Sequence, residues 1–182
     1  MREKLNKTQK KTVQEIDEII ELIGLDHRNI LNYDKEARTP VLHNMKDQIM
    51  RSAVVMDYVL IDEFLSQVLV EYYFGRAESS IDLWKTKKFK LFNYCILEKL
   101  YLLNKLDHVK EIIEIPSSIE TKIRKLNDLR NSLAHSFFPE NRKVKICYDG
   151  KSVYALQGFK EYHKDVEKIT TYFMNKLWKV KI

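Results

Sequence analysis

Cysteine, glycine and proline are scarce in this chain: two Cys, four Gly and three Pro in 182 residues. Cys95 and Cys147 have no partner at metal-ligand spacing, which excludes a disulfide-stapled scaffold and a cysteine metal site and reads as free thiols in a reducing compartment. No run of eighteen apolar residues occurs, so no membrane-spanning helix and no membrane partner are expected. The opening MREKLNKTQKKTVQEI is charged where a secretion signal needs an apolar core, and a cytoplasmic protein is the expectation. Internal repeats, low-complexity blocks and Gly/Ser linkers are missing as well, so residues 1–182 are read as a single domain.

What is present fits a helix-rich globule: 45% hydrophobic and 32% charged residues. The net charge of +6 tilts the partner toward an acidic one such as nucleic acid, because clustered Lys and Arg neutralise phosphates and release counterions. A solvated lysine face is the other reading of the same excess.

Five helices are expected. The first covers 10–23, with Val13, Ile16, Ile19, Ile20 and Ile23 at helical spacing and Gly24 as its stop. Thr39-Pro40 marks a break before the longest helix, about 41–74, closed by Gly75. Its inward stripe is taken as Val55, Tyr58, Val59, Asp62, Leu65, Leu69 and Tyr73, with Glu63 at the edge. A third helix over 89–113 has Phe92, Ile96, Leu100 and Leu103 on one face and ends at Ile115-Pro116. Ser117 and Glu120 form a capping-box pattern that opens a fourth. Residues 143–156 alternate about Asp149-Gly150, a hairpin signal, and the last helix runs over 158–179 with Tyr162, Val166, Ile169, Phe173 and Leu177 facing inward.

The fourth helix carries an odd set of polar groups in LNDLRNSLAHSFFPEN, residues 126–141. At about 100° per residue, Ile119, Ile123, Leu126, Leu129, Leu133 and Phe137 share a face, and Arg130 falls within it. An unpaired guanidinium is costly to bury, so Arg130 either snorkels outward or meets an acid, for which Asp62 is the candidate. Asn127, Asn131 and His135 form a polar strip at intervals of four. His135 lies about 140° from Arg130, so the two converge only if the arginine bends back, the last turn distorts, or a second protomer completes the site. At a helix C-terminus the macrodipole favours an imidazolium, which suits a base working near neutrality.

Arg130-Asn131 and His135, within RNSLAH, resemble the Arg-x4-His motif of the HEPN superfamily of helical bundles. Arg38 and His43 have the same spacing, but Pro40 is expected to break the helix between them. The resemblance covers a core bundle of about 41–138 and extends to the last helix; the hairpin over 143–156 is an addition before it. It implies an all-α HEPN-like domain acting as a metal-independent endoribonuclease, with no cofactor. The expected context is a toxin or phage-defence effector, a homodimer with both motifs in one cleft, and in some branches an antitoxin protein. One branch carries a modified Tyr two positions after the His; Phe137 lacks that hydroxyl, so this mode of silencing is not expected here.

On that reading His135 takes the proton of a ribose 2′-OH, Arg130 stabilises the phosphate charge, Asn131 holds the phosphate or orients His135, and Asp62, Glu63 and Asn127 support them. Lys85, Lys87, Lys88 and Lys90 would lead the RNA strand in, with Trp84, Phe89 and Phe92 for stacking; a solvated helix start is the alternative. The competing function is a non-catalytic dimeric interaction or nucleotide-binding module built on the same residues.

Overall fold

A computed structural model of the chain describes residues 7–22, 26–75, 80–135 and 146–178. The fold is all-α apart from one two-stranded ribbon. The elements run α1 (Lys7–Leu22), a 3-10 turn (His27–Asn32), α2 (Lys35–Phe74), α3 (Ser80–Trp84), α4 (Lys87–Cys95), a second 3-10 turn (Leu97–Lys99), α5 (Leu102–Lys110), α6 (Ser117–His135), β1 (Cys147–Tyr148), β2 (Lys151–Ser152) and α7 (Leu156–Trp178). The chain divides into two compact units, Met1–Ser52 and Ala53–Ile182. No helix among the described residues is long and apolar enough to cross a membrane.

In the first unit α1 forms as its periodicity predicts, but Val13 and Ile19 are exposed; Ile23 and the Gly24 stop lie outside the described residues. The expected break at Thr39-Pro40 does not occur, because α2 begins at Lys35 and holds Pro40 within it. Pro40 sits about one and a half turns in, where its missing N–H removes a single bond and its fixed φ suits the helix. The start is pinned from outside the ladder. Asp34 O accepts from the N–H groups of Ala37 and Arg38 at 3.0 and 3.1 Å, and the Arg38 side chain donates to Tyr33 O and Leu31 O at 3.0 and 3.2 Å. Arg38 and His43 thus share a continuous helix, and Arg38 serves to anchor the preceding loop.

In the second unit the remainder of α2 is central. Phe64 stacks on Phe173 of α7 at 5.8 Å, Asp57 accepts from the Tyr162 hydroxyl of α7, Asp62 pairs with Lys105 of α5, and Phe74 meets Phe89 and Phe92 of α4 edge-on. Gly75 ends it as expected, at φ +76° with its N–H on Glu71 O at 2.9 Å, a left-handed stop that suits glycine. The buried face is only in part the expected one. Val54, Ile61, Phe64, Leu65, Val68 and Leu69 are buried, whereas Val55, Val59 and Tyr73 are exposed. The helix is apolar over more than half its circumference, so hydrophobicity alone does not choose the inward subset.

The expected single helix over 89–113 is two. Ile96 (φ −123°, ψ −67°) ends α4, a 3-10 turn follows, and α5 starts after Tyr101. The reason is a slip in apolar phase: Phe89, Asn93 and Leu97 are buried at intervals of four, but the next buried set is Leu102, Lys105, Leu106 and Val109. In one straight helix Leu102 would lie about 140° from Leu97, so the break lets both sets face the core. Asn93, in the last turn of α4, is buried and donates to Glu98 Oε1 at 2.5 Å across the break. Ile96 is half exposed instead of inward-facing.

α6 opens at Ser117, with Pro116 O taking the N–H groups of Ile119 and Glu120 at 2.9 and 3.0 Å. Glu120 does not turn back as a capping box would; it pairs with Lys110 at 2.7 Å and Arg124 at 2.9 Å. These two partners hold its carboxyl below the usual carboxylate range. Ile119, Ile123, Leu126, Leu129 and Leu133 are buried as the projection requires, and α6 packs on α5 and α7; Phe137 and Pro139 lie outside the described residues.

The hairpin is short, with Cys147 opposite Ser152 and Tyr148 opposite Lys151. Asp149 (φ 48°) and Gly150 (φ 76°) make the left-handed turn that Asp-Gly favours. Ile146, Tyr148 and Val153 press the hairpin onto α6 and α7, and Tyr162, Val166, Ile169, Phe173 and Leu177 of α7 are all buried as expected. Tyr148 donates to Asp165 at 3.2 Å, which also pairs with Lys122 and Lys168 at 3.1 Å each. Burial pushes the Asp165 carboxyl up, but hydrogen bonds from Lys168 and Lys122 outweigh it and leave the group lowered. Burial and the neighbouring carboxylates raise the Tyr148 and Tyr162 phenols far above the ordinary tyrosine range.

Two consequences are measurable. A Cβ on Gly158 would stand 2.2 Å from Ser152 O, a backbone atom that cannot rotate away. Gly158→Ala should lose about 2–3 kcal/mol in urea unfolding as the hairpin is pushed from α7. Because the Asp165 carboxyl is depressed on folding, its contribution to stability is complete above the ordinary aspartate range and fades as pH falls through and below it. Asp165→Asn should cost about 1–3 kcal/mol at pH 7, and its gap from the parent should narrow as pH falls below the ordinary aspartate range; a constant gap would overturn this account.

Candidate active site

The seam between the second half of α2, α5 and α6 gathers the unusual charges of the chain. Arg130 is half-buried on the apolar side of α6, and its guanidinium lies over the Tyr58 ring at 5.2 Å. It also donates to Asn131 Oδ1 at 3.3 Å. That bond turns the guanidinium toward the polar strip, since Asn131 stands one turn before His135 on the same face.

Asp62 is not the partner of Arg130. Its carboxylate is held by Lys105 Nζ at 2.5 Å, with the Lys105 side chain 6% exposed and Asp62 29%. Lys105 belongs to the buried stripe of α5 with Leu102, Leu106 and Val109, and an ammonium sealed there needs a carboxylate more than a half-exposed guanidinium does. Among the described residues Arg130 is paired with no carboxylate. Both groups act on Tyr58, whose phenol is raised by burial, lowered by the Arg130 charge, raised by Asp62, and lowered by a hydrogen bond with the Leu102 backbone.

Asn127 is half-buried, while Asn131 and Glu63 are exposed. The backbone of His135 closes α6; its side chain is outside the described residues. Of the basic run, Lys85 is tied to Asp82 at 2.8 Å and Lys88 lies over Phe74 at 5.3 Å, with Lys87 and Lys90 exposed on α4. These lysines belong to the far end of α2, not to the Arg130 seam. Among the described residues no group of three or more His, Cys, Asp or Glu is placed to hold a metal ion.

Sequence reasoning missed Lys105 and Tyr58 as members of the site. Lys105 was legible: at spacing three and four from Leu102 and Val109 it interrupts an apolar stripe just as Arg130 does, once α5 is phased as its own helix.

Removing the buried cation tests this charge arrangement. Lys105→Met should lose about 2–4 kcal/mol by leaving Asp62 without its counter-charge, and the Asp62→Asn, Lys105→Met double variant should recover most of that loss in urea titrations. Additive losses would mean the pair is not coupled.

No protein-family model, no curated protein and no solved structure matches the chain.

Proposed function

We propose that the chain is a metal-independent endoribonuclease of the HEPN type, a toxin or phage-defence effector that cuts RNA as a homodimer. The observation that carries this reading is Arg130: a half-buried guanidinium with no carboxylate partner among the described residues, stacked on Tyr58 and turned toward Asn131. Such a group is arranged for an anion from outside the chain, and its planar fork suits a phosphate.

His135 removes the proton from a ribose 2′-OH, and that oxygen attacks the adjacent phosphorus. The bond from phosphorus to the 5′-oxygen breaks, the leaving oxygen takes up a proton, and the products are a 2′,3′-cyclic phosphate and a 5′-hydroxyl. Arg130 and Asn131 stabilise the charge that builds on the non-bridging oxygens. Asp62 acts at one remove, by neutralising Lys105 and leaving Arg130 free for the phosphate. The dimer is supported by the outward strip of α2 beside this seam, where Val55, Met56 and Val59 are 45%, 65% and 41% exposed, and by Tyr101 at the start of α5, which is 80% exposed. Pairing two copies across that strip brings two Arg130 sites to one cleft.

Single-stranded RNA incubated with the full chain in EDTA should be cut to cyclic-phosphate ends, and DNA should be inert. His135→Ala and Arg130→Ala should each lose about 100-fold or more. Met56→Asp should turn a dimer into a monomer by light scattering and lose cleavage with it. Intact RNA at high protein excess, from a protein that is still dimeric, would instead favour the non-catalytic interaction module.

A further inference from the structure

A second feature of the same unit lies outside the Arg130 seam. Between the end of α2, α4 and α5 is a cleft of about 290 Å³ lined by Leu69, Tyr73, Phe92, Ile96, Leu100 and His108. Its walls are apolar and aromatic, Tyr73 and Phe92 standing 5.2 Å apart, and His108 is the one lining residue with ring nitrogens to donate or accept a hydrogen bond. Tyr73 and Ile96 are 56% and 50% exposed, so the cleft is open to a ligand.

The surroundings indicate what that ligand is. Residues 85–99 hold five lysines, at 85, 87, 88, 90 and 99, against one acid, Glu98. Glu98 offsets one of these charges and Asp82, just before the run, offsets Lys85, so the exposed ammonium groups of Lys87 and Lys90 leave the neighbourhood with a net positive field. Phe92 of the cleft touches Phe74, and Phe74 lies under Lys88 at 5.3 Å, so charge and cleft adjoin. An apolar slot with aromatic faces and one imidazole, edged by lysines, matches a planar heterocycle attached to a phosphate backbone. A peptide side chain would fill the slot but make no use of the charge.

The cleft is also close to the seam. Leu69 follows Tyr58, the ring under Arg130, by about 16 Å along α2, and His108 stands one turn after Lys105 on α5. A single strand whose phosphate sat on Arg130 would reach the cleft within a few nucleotides.

We infer that this cleft captures one unpaired nucleobase of the RNA and so sets where the strand is cut. The inference rests on the ribonuclease reading for its RNA ligand, and a binding experiment separates the two. Labelled 2′-O-methyl oligonucleotides, which resist attack by the 2′ position, are titrated by fluorescence anisotropy against the full chain and against Tyr73→Ala and His108→Ala. Both positions are exposed, and unchanged helical circular dichroism and melting would show that the variants fold; Tyr73→Phe should bind like the parent.

Each alanine variant should bind about tenfold more weakly. A single abasic nucleoside walked along the oligonucleotide should cost the parent about tenfold at one position and the variants nothing further there. Cleavage of RNA by the parent with equal binding by parent and variants overturns the cleft and leaves the ribonuclease standing. Cleft-dependent binding without cleavage supports the cleft and overturns the ribonuclease, and no binding by the parent overturns both.

Discussion

The packing of α2 against α5 and α6 turns on how charge is satisfied in an otherwise apolar seam. Two cations, Lys105 and Arg130, and one carboxylate, Asp62, face the same region around Tyr58. One acid cannot neutralise both. Lys105, the more deeply buried, takes it, because an unpaired ammonium at that depth would cost several kcal/mol. Arg130 keeps solvent along part of its length and lies on an aromatic ring, an arrangement that a weakly hydrated planar cation tolerates and a compact ammonium does not. The uncompensated charge of the seam is thereby assigned to the guanidinium, the group best shaped for a phosphate.

Holding that charge in place is the task of the elements around α6. On one side Glu120 and Arg124 tie it to Lys110 and Asp107 of α5; on the other Lys122 reaches Asp165 of α7, and Lys125 meets Asp149 at the tip of the hairpin. The more exposed of these pairs contribute little individually to stability, yet together with the buried leucines they fix the rotation of α6 about its axis. A rotation by one residue would carry Arg130 off Tyr58. The hairpin, which the HEPN resemblance does not explain, thus contributes to positioning, and Gly158 is the close approach that lets it dock.

How much of this was legible in the sequence depended on whether one physical signal decided the matter. α7 and the Asp149-Gly150 turn each had a pattern that agreed with what forms, and α6 turns its predicted apolar face inward, although Glu120 makes no capping box at its start. α2 had an unambiguous helical pattern with too many apolar residues, so its existence was readable and its inward face was not; the choice is made by partners such as Tyr162 and Phe173 that lie more than a hundred residues away. The join between α4 and α5 was hidden for a different reason. No glycine or proline marks it, and only the slip in apolar phase between Leu97 and Leu102 reveals that a straight helix would expose half its core residues. That misphasing propagated to the site, since Lys105 is conspicuous only in the correct frame. Pro40 shows the reverse error, a breaker residue tolerated because Arg38 and Asp34 hold the helix start.

The same two helices that balance the charge also carry the apolar cleft, and their geometry ties the two features together. On α5 the residue that neutralises Asp62 and the residue that offers ring nitrogens to the cleft are Lys105 and His108, neighbours across one turn. On α2 Asp62 and Leu69 stand about two turns apart. Any displacement of α5 that loosened the Lys105 pair would move His108 with it, so the seam and the cleft cannot change their spacing independently of the buried salt bridge. On the proposed ribonuclease reading, a strand held at both points would be measured against a ruler whose length is set by helix packing.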